Sequence, residues 1–370
     1  MSHSSGAAHD DGPGGENPED RRLRDRRGFK VTLIALASVV VIGVVGVAVL
    51  LGSLDRNVER LGDPFAALPT RPAPLTPTPQ SASGDGNQAP NQEPLTMLVL
   101  GSDSRISAGD PSQWERGAQR TDVMMLVHLP ADGQSGYVMS LPRDSWVDIP
   151  GYGEAKLNAA FSYGGPTLLI QTVEQLTGLP IDHFTVTDFE SFKRITDVLG
   201  GVTMNLTQPM KDANGDVVLP EGTHLLDGEE ALQYVRERYN LPRGDVDRVQ
   251  RQQAWIRALV RRTQDGGVLN DPSSWYPLLD AVTESIAVDE GLTRQRMVDL
   301  LTRVRSIGDA NLRFFTVPLE GLGTSADGQS IVLLDRPRFD ALMQSVRDGT
   351  VAQYLEQNPD AVDTLPAVTP

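Results

Sequence analysis

Arg120–Asp144 reads RTDVMMLVHLPADGQSGYVMSLPRD, and this stretch decides the fold class. From Asp122 to Leu129 the chain is almost continuously Val, Met and Leu, the pattern of a strand whose neighbours are all buried. Pro130-Ala131-Asp132-Gly133 supplies turn residues, and a second apolar run begins at Gly136, so the stretch is a hairpin. Outward from it, strands are predicted at Leu95–Gly101, Asp122–Leu129, Gly136–Leu141, His183–Thr187, Val202–Leu206 and Arg313–Val317. Helical periodicity marks Pro166–Leu176, Asp188–Leu199, Asp227–Val235, Asp245–Thr263, Thr293–Ile307 and Arg336–Val346. The two kinds of element interleave without a regular βαβ beat. The expected class is α/β, a mixed β-sheet covered by helices on both faces.

Length and charge narrow the function. The chain has 370 residues, and 49 Asp plus Glu against 33 Lys plus Arg leave a net charge of -16. Such an acidic balance argues against nucleic acid as a partner. There is no cysteine, which removes disulfides, thiolate metal sites and a cysteine nucleophile. His3, His9, His128, His183 and His224 are scattered, with no pair at the spacing that puts two ligands on one helix face.

VTLIALASVVVIGVVGVAVLLG, residues 31–52, carries no charge. At about 1.5 Å per residue it makes roughly 33 Å of helix, enough for a bilayer core of about 30 Å. A cleaved signal peptide normally has a shorter apolar region, and a buried core helix is rarely apolar all round, so a transmembrane helix is expected. Arg21, Arg22, Arg24, Arg26, Arg27 and Lys30 precede it, whereas Asp55, Arg56, Glu59 and Arg60 cancel after it. Positive residues stay cytoplasmic, so the expectation is a single-pass protein of the cell membrane with its N-terminus inside and the rest extracytoplasmic. The expected division is a disordered cytoplasmic tail over 1–30, the membrane helix over 31–52, a Pro/Gly/Ser-rich linker over 53–94, one folded domain over 95–350 and a flexible tail over 351–370.

The candidate site is a set of charged residues at predicted element ends. LVLGSDSR places Asp103 and Arg105 just past the first strand, where ligand-binding groups gather in α/β sheets, although an ordinary Asp-Ser turn has the same signature. Arg120-Thr121-Asp122 opens the next strand, and Arg143 and Asp144 follow a third. Two carboxylates, Asp103 and Asp122, suit a hard cation such as Mg²⁺. In LDGEEALQYVRERYNLPRGDVDRVQRQQ, Arg236 and Arg238 point the same way only on an extended segment, so a shared ligand would require the helix to end near Tyr234. In the helix from Asp245, a wheel at 100° per residue puts Arg248 at 300° and Gln252 at 340°, in one stripe with Ile256, Leu259 and Val260. The apolar half of that stripe must face the core, so the polar half is expected inside as well, either with an anion at the helix N-terminus or as a salt-bridge cluster. Arginines near carboxylates, with no P-loop lysine, histidine base or serine elbow, point to phosphate chemistry.

LVLGSDSR, RTDVMMLVHL, SLPRDSW, KLNAAFSYGG and YVRERYNLPRGDVDRVQRQQ, in this order after one N-terminal apolar helix, resemble the LytR–CpsA–Psr family of cell-wall glycopolymer ligases, actinobacterial type, over about residues 95–265. The resemblance implies an extracytoplasmic α/β domain with an apolar groove for a polyprenyl chain. It implies a phosphotransferase that moves a glycopolymer, arabinogalactan- or teichoic-acid-like, from a polyprenyl-pyrophosphate carrier to peptidoglycan. By that resemblance Asp103 and Asp122 hold Mg²⁺ (or Mn²⁺), and Arg120, Arg143, Arg236, Arg238, Arg248 and Gln252 cradle the pyrophosphate. Arg236 and Arg238 act directly on the reacting phosphates, and Asp245, or else Asp103, takes the acceptor proton. Some members carry a second arginine where this chain has Gln119, and Arg105 stands as its replacement. Phe161, Leu168, Leu169, Val173 and Phe192 are candidates for the lipid groove, with plain core packing as the alternative. Two other functions remain open at this point: a polyprenyl-pyrophosphate hydrolase with water as acceptor, and a non-enzymatic lipid-binding envelope regulator.

Overall fold

The computed structural model describes residues 59–76, 92–102, 121–211, 214–237, 241, 243, 245–265 and 286–366. The chain enters through a short strand β1 (Glu59–Arg60), followed by β2 (Leu95–Ser102), β3 (Thr121–Leu129) and β4 (Gly136–Ser140). A hairpin of β5 (Trp146–Ile149) and β6 (Gly153–Lys156) leads into helix α1 (Leu157–Thr177), then β7 (His183–Asp188), α2 (Phe189–Val198) and β8 (Val202–Leu206). Short strands β9 (Met210–Lys211), β10 (Val217–Leu219) and β11 (Gly222–Leu226) precede α3 (Gly228–Arg236) and α4 (Asp245–Asp265). The remainder is β12 (Ile286–Val288), α5 (Arg294–Ile307), β13 (Leu312–Thr316), β14 (Leu319–Thr324), β15 (Ser330–Leu334), α6 (Arg336–Arg347), α7 (Val351–Gln357) and β16 (Asp363–Thr364).

Eight strands form one mixed sheet in the order β1-β12-β7-β2-β3-β4-β13-β16. β2 runs parallel to β7 and antiparallel to β3, β3 antiparallel to β4, and β4 parallel to β13. The C-terminal ends of β2, β4, β7 and β13 therefore share one edge with the start of β3. Alternation along the buried strands sends side chains to two cores. Met124, Leu126 and Phe315 pack with α1, α6 and α7 on one face, whereas Val123, Met125 and Phe314 pack with α3, α4 and α5 on the other. Helices thus cover both faces, as the hairpin pattern required. Val202–Leu206 is a strand at the predicted residues but lies outside the central sheet: it pairs with β11, and its alternating burial is that of a strand with one wet face.

Helix α1 is two helices joined at Gly164 and Gly165, and the second begins at Pro166 as predicted. Gly165 has φ 64°, a left-handed conformation that glycine adopts without penalty, and a side chain at Gly164 would strike Leu168.

The domain is longer than 95–350. Part of the expected linker is folded: β1 pairs in parallel with β12, and Phe65, Leu68 and Leu75 pack on the core. Arg71 Nη2 makes a 2.7 Å ion pair with Glu174, which is 3% exposed and also accepts a hydrogen bond from the Ile181 amide. Part of the expected flexible tail is folded too, since β16 pairs with β13 and Ala361 and Val362 are buried. Both segments are too short or too proline-rich to signal themselves, and non-local partners fix them. No helix among the described residues is long and apolar enough to cross a membrane, and the cytoplasmic-tail and membrane-helix expectations, 1–30 and 31–52, lie outside them.

Candidate active site

The shared sheet edge gathers the charged motifs. β2 ends at Ser102, β3 starts at Thr121, and Ser102 pairs with Thr121 while Gly101 pairs with Val123. Asp122 is therefore the extra residue of a β-bulge, a feature found preferentially beside active sites. Asp103, the other residue of the expected metal pair, is the next residue in sequence after Ser102. Asp103, Arg105, Arg120 and Arg238 lie outside the described residues, and only the backbone is described at Asp122 and Asp245. Among the described residues no group of three or more His, Asp or Glu side chains is placed to hold a metal.

Beside this edge lies a cavity of about 710 Å³ including its open mouth, between the sheet and α2, α3 and α4. Its walls are apolar: Val99, Met125, Phe192, Val235, Trp255 and Ile256 line it. Phe192 and Trp255 stack with centroids 3.7 Å apart, and the Trp255 indole donates to Thr196 Oγ1 at 3.1 Å, so the ring presents only its apolar body. Arg236, Arg248, Gln252 and Thr187 bring polar side chains to the lining. Along α4 the lining changes from Arg248 through Gln252 to Ile256, one turn at a time, over about 12 Å. The cavity thus runs from cationic to apolar, and suits an anionic head on an apolar chain.

The helices deliver these residues for local reasons. α3 starts with a reciprocal capping box between Asp227 and Glu230 and ends when Glu237 turns extended at φ -61°, ψ 137°. It runs to Arg236, one residue past the predicted end at Val235 and two past Tyr234, near which a ligand shared with Arg238 would require it to end; Arg236 occupies the final turn and reaches the cavity while remaining exposed.

The wheel correctly placed Arg248 and Gln252 inside, at 7% and 8% exposure. Burial is nonetheless wider than one stripe, because the sheet, α3 and the C-terminal segment enclose the whole first half of α4. Asp247, Gln250, Arg251 and Gln253 are buried as well. Arg251 donates to Glu237 at 2.7 Å and to the Tyr234 carbonyl at 3.3 Å, and lies 4.5 Å from the centre of the Tyr234 ring. Asp247 accepts from Arg243, Gln250 donates to Asp363, and Gln253 donates to Ser140. The salt-bridge alternative is found on one side of the helix, where Arg251 pairs with Glu237 and Asp247 with Arg243, while Arg248 lines the cavity on another. Asp247, Arg251, Ala254 and Ala258 recur at i, i+4, i+7 and i+11, a second stripe that the sequence already contained.

Arg143 sits at the same edge but does not line this cavity. Its carbonyl accepts from the Asn158 amide at 3.0 Å, and its Nε lies 3.7 Å from Asp144, which also pairs with Lys156 at 3.1 Å. Of the lipid-groove candidates, Phe161, Leu169 and Val173 are buried in the opposite core and Leu168 packs against it. Only Phe192 lines the cavity; apolar residues at helical spacing look alike whether they meet core or ligand.

The sequence and the fold are similar to those of known proteins. The chain is 30% identical to the cell wall biosynthesis protein LcpA of Corynebacterium glutamicum over 321 residues, 75% of this chain and 61% of LcpA. It therefore spans about three fifths of the length of that relative. It is 32% identical to the polyisoprenyl-teichoic acid–peptidoglycan teichoic acid transferase TagU of Enterococcus faecalis, over 70% of this chain and 80% of TagU. A solved structure of TagT bound to LI-WTA superposes with a TM-score of 0.56 at 26% identity, covering 75% of this chain and 98% of that one, and TagT is a Bacillus subtilis protein. The profile of the LytR-CpsA-Psr family matches residues 75–348, most of the described domain, and the chain belongs to that family.

Proposed function

We propose that this protein is a membrane-anchored phosphotransferase that moves a glycopolymer from a polyprenyl-pyrophosphate carrier to peptidoglycan. The observation that carries the proposal is the cavity whose walls are apolar and whose polar end holds Arg236, Arg248 and Gln252 beside the ends of β2 and β3. A prenyl chain gains about 0.8 kcal/mol per buried methylene-sized group, so the apolar part would draw in the lipid. The guanidiniums of Arg236 and Arg248 suit the pyrophosphate oxygens, and the N-terminus of α4 adds its dipole. The name of TagU, a polyisoprenyl-teichoic acid–peptidoglycan teichoic acid transferase, and that of LcpA, a cell wall biosynthesis protein, support this reading.

In the proposed reaction an acceptor hydroxyl attacks the phosphorus that carries the glycopolymer. A new P–O bond forms, the P–O bond to the distal phosphate breaks, polyprenyl phosphate leaves, and the hydroxyl proton passes to a carboxylate, Asp245 or Asp103. Arg236 and Arg248, with Arg120, Arg143 and Arg238, would stabilise the charge spread over the transferring and leaving phosphates. Mg²⁺ or Mn²⁺, bound by Asp103 and Asp122, would neutralise charge shared between the phosphates when present. Carboxylate oxygens are hard donors of the kind such a cation takes. The apolar run 31–52 would anchor the domain outside the membrane, near its lipid substrate.

The test is mass spectrometry of the purified full chain incubated with a polyprenyl-pyrophosphate sugar, Mg²⁺ and a peptidoglycan fragment. The expected product is a metal-dependent glycosyl-phosphate adduct on the fragment, lost in Arg236→Ala. Free glycosyl phosphate with no adduct would replace the transferase by a hydrolase.

A further inference from the structure

A second cavity, about 1300 Å³ including its mouth, lies on the other side of α4. It opens at the same sheet edge, since Pro142 follows β4 and Thr316 ends β13, and both line it. On α4 its lining residues are Val246 and Val249, and the first cavity's are Arg248 and Gln252. Val249 stands about 100° around the helix from Arg248, roughly 9 Å of circumference on a helix about 10 Å across. The two cavities share no lining residue, and the first half of α4 is the wall between them.

Their chemistry differs. The first cavity pairs apolar walls with cations alone. The second mixes Pro142, Val246 and Val249 with both signs of charge, Arg243 and Arg338 against Asp360 and Asp363. Thr316 adds a directional signal: it is 1% exposed, it lines the cavity, and its hydroxyl has no hydrogen-bond partner among the described residues. A buried hydroxyl left unmade is costly, so a polar group on an occupant would be gained there at little expense. Closure is also built in, because Asp363 accepts from Arg243 at 3.2 Å and from Gln250 at 3.1 Å and so ties the 359–363 wall to α4.

The proposed transfer needs two bound substrates, an amphiphilic donor and an acceptor hydroxyl that reaches the pyrophosphate from elsewhere. A balanced set of cations and anions does not select a polyanionic polymer. It suits a saccharide that bears a peptide with both amine and carboxylate groups. We propose that this second cavity is the acceptor subsite, in which Thr316 hydrogen-bonds the saccharide and Arg338 meets a carboxylate of its peptide. This rests on the transferase function proposed above.

The experiment measures KM separately for donor and acceptor in the full chain, with a soluble disaccharide–peptide fragment as acceptor, comparing wild type, Thr316→Val and Arg338→Ala. Each variant is expected to raise the acceptor KM about tenfold and to leave the donor KM within twofold, and Thr316→Val should not lower the melting temperature. An unchanged acceptor KM in both variants overturns the proposal. A raised donor KM with an unchanged acceptor KM assigns the cavity to the donor polymer and overturns it too. If the wild type transfers nothing, the transferase function fails on its own, and titration of the fragment against wild type and Thr316→Val still decides. Binding that weakens in the variant supports the subsite, and equal or absent binding removes it.

Discussion

Replacing Glu237 by Ala separates the structural arginine of the motif from those that face ligand. Arg251 and Glu237 are 1% and 7% exposed and 2.7 Å apart, on α4 and on the residue that ends α3. In the variant the Arg251 guanidinium keeps the Tyr234 carbonyl and ring but loses its carboxylate. A charge-assisted hydrogen bond is worth about 1.5–3 kcal/mol, and stranding the remaining buried charge brings the total to about 3–5 kcal/mol. At about 2–4 °C per kcal/mol for a domain of this class, the melting temperature falls by roughly 6–20 °C. Glu237→Gln, which still accepts a hydrogen bond, loses less. Denaturant titration followed by circular dichroism measures both, and the double variant Glu237→Leu/Arg251→Met should recover most of the loss because no charge is then left buried. A Glu237→Ala loss below about 1 kcal/mol would refute the assignment of Arg251 as structural.

Arg236→Ala and Arg248→Ala should each lower the transfer rate roughly 100- to 1000-fold, the scale for removing one group that stabilises transition-state charge, with the fold intact by circular dichroism. Chelation with EDTA should abolish transfer, and either Mg²⁺ or Mn²⁺ should restore it. Burial, with Arg303 beside it, lowers the His128 pKa to about 4, although Asp132 opposes the shift. The unfolded chain binds that proton near pH 6.5, so stability is full above this value and falls by about 3 kcal/mol as pH drops to about 4. The stability difference between wild type and His128→Gln, measured across that window, should follow this curve. Arg71→Ala strands the Glu174 carboxylate and should cost about 2–3 kcal/mol, less than a fully buried pair because Arg71 is itself 36% exposed. A chain truncated to 95–350 should melt lower still, since it also loses β1, α7 and β16.

The long, strongly patterned elements were legible. β2, β3 and β4 begin and end within a residue of their expected positions, because a buried strand must be apolar throughout and its turn must carry Pro, Asp and Gly. β1, β12 and β16 were not, since two or three residues carry no period and their partners are distant in sequence. The same limit explains the site. A helical wheel tells that Arg248 and Gln252 share a face with Ile256, but not that Arg251 meets Glu237 at the end of α3, nor that the C-terminal segment returns to meet Gln250 and Arg257 through Asp363 and Pro366. Phe192 and Phe161 had equal claims on the lipid groove in the sequence, and only the sheet decides which core each one joins.

Polar side chains fill the first half of α4, yet that half is among the most enclosed segments of the domain, and its position resolves the contradiction. In the proposed function the wall between the two cavities must present recognition groups and must also be rigid, because a shift of one ångström would misalign two bound reactants. Apolar packing would supply rigidity but not the recognition groups. Here buried polar groups that line neither cavity are fixed by pairing, Arg251 with Glu237 at the end of α3 and Gln253 with Ser140 of β4, each tying α4 to a different element. Those ties hold Arg248 and Val249 on their two sides without apolar contacts of their own. The cost of burying so many charges is met by pairing, which is why breaking one pair is expected to be costly and replacing a whole pair is not.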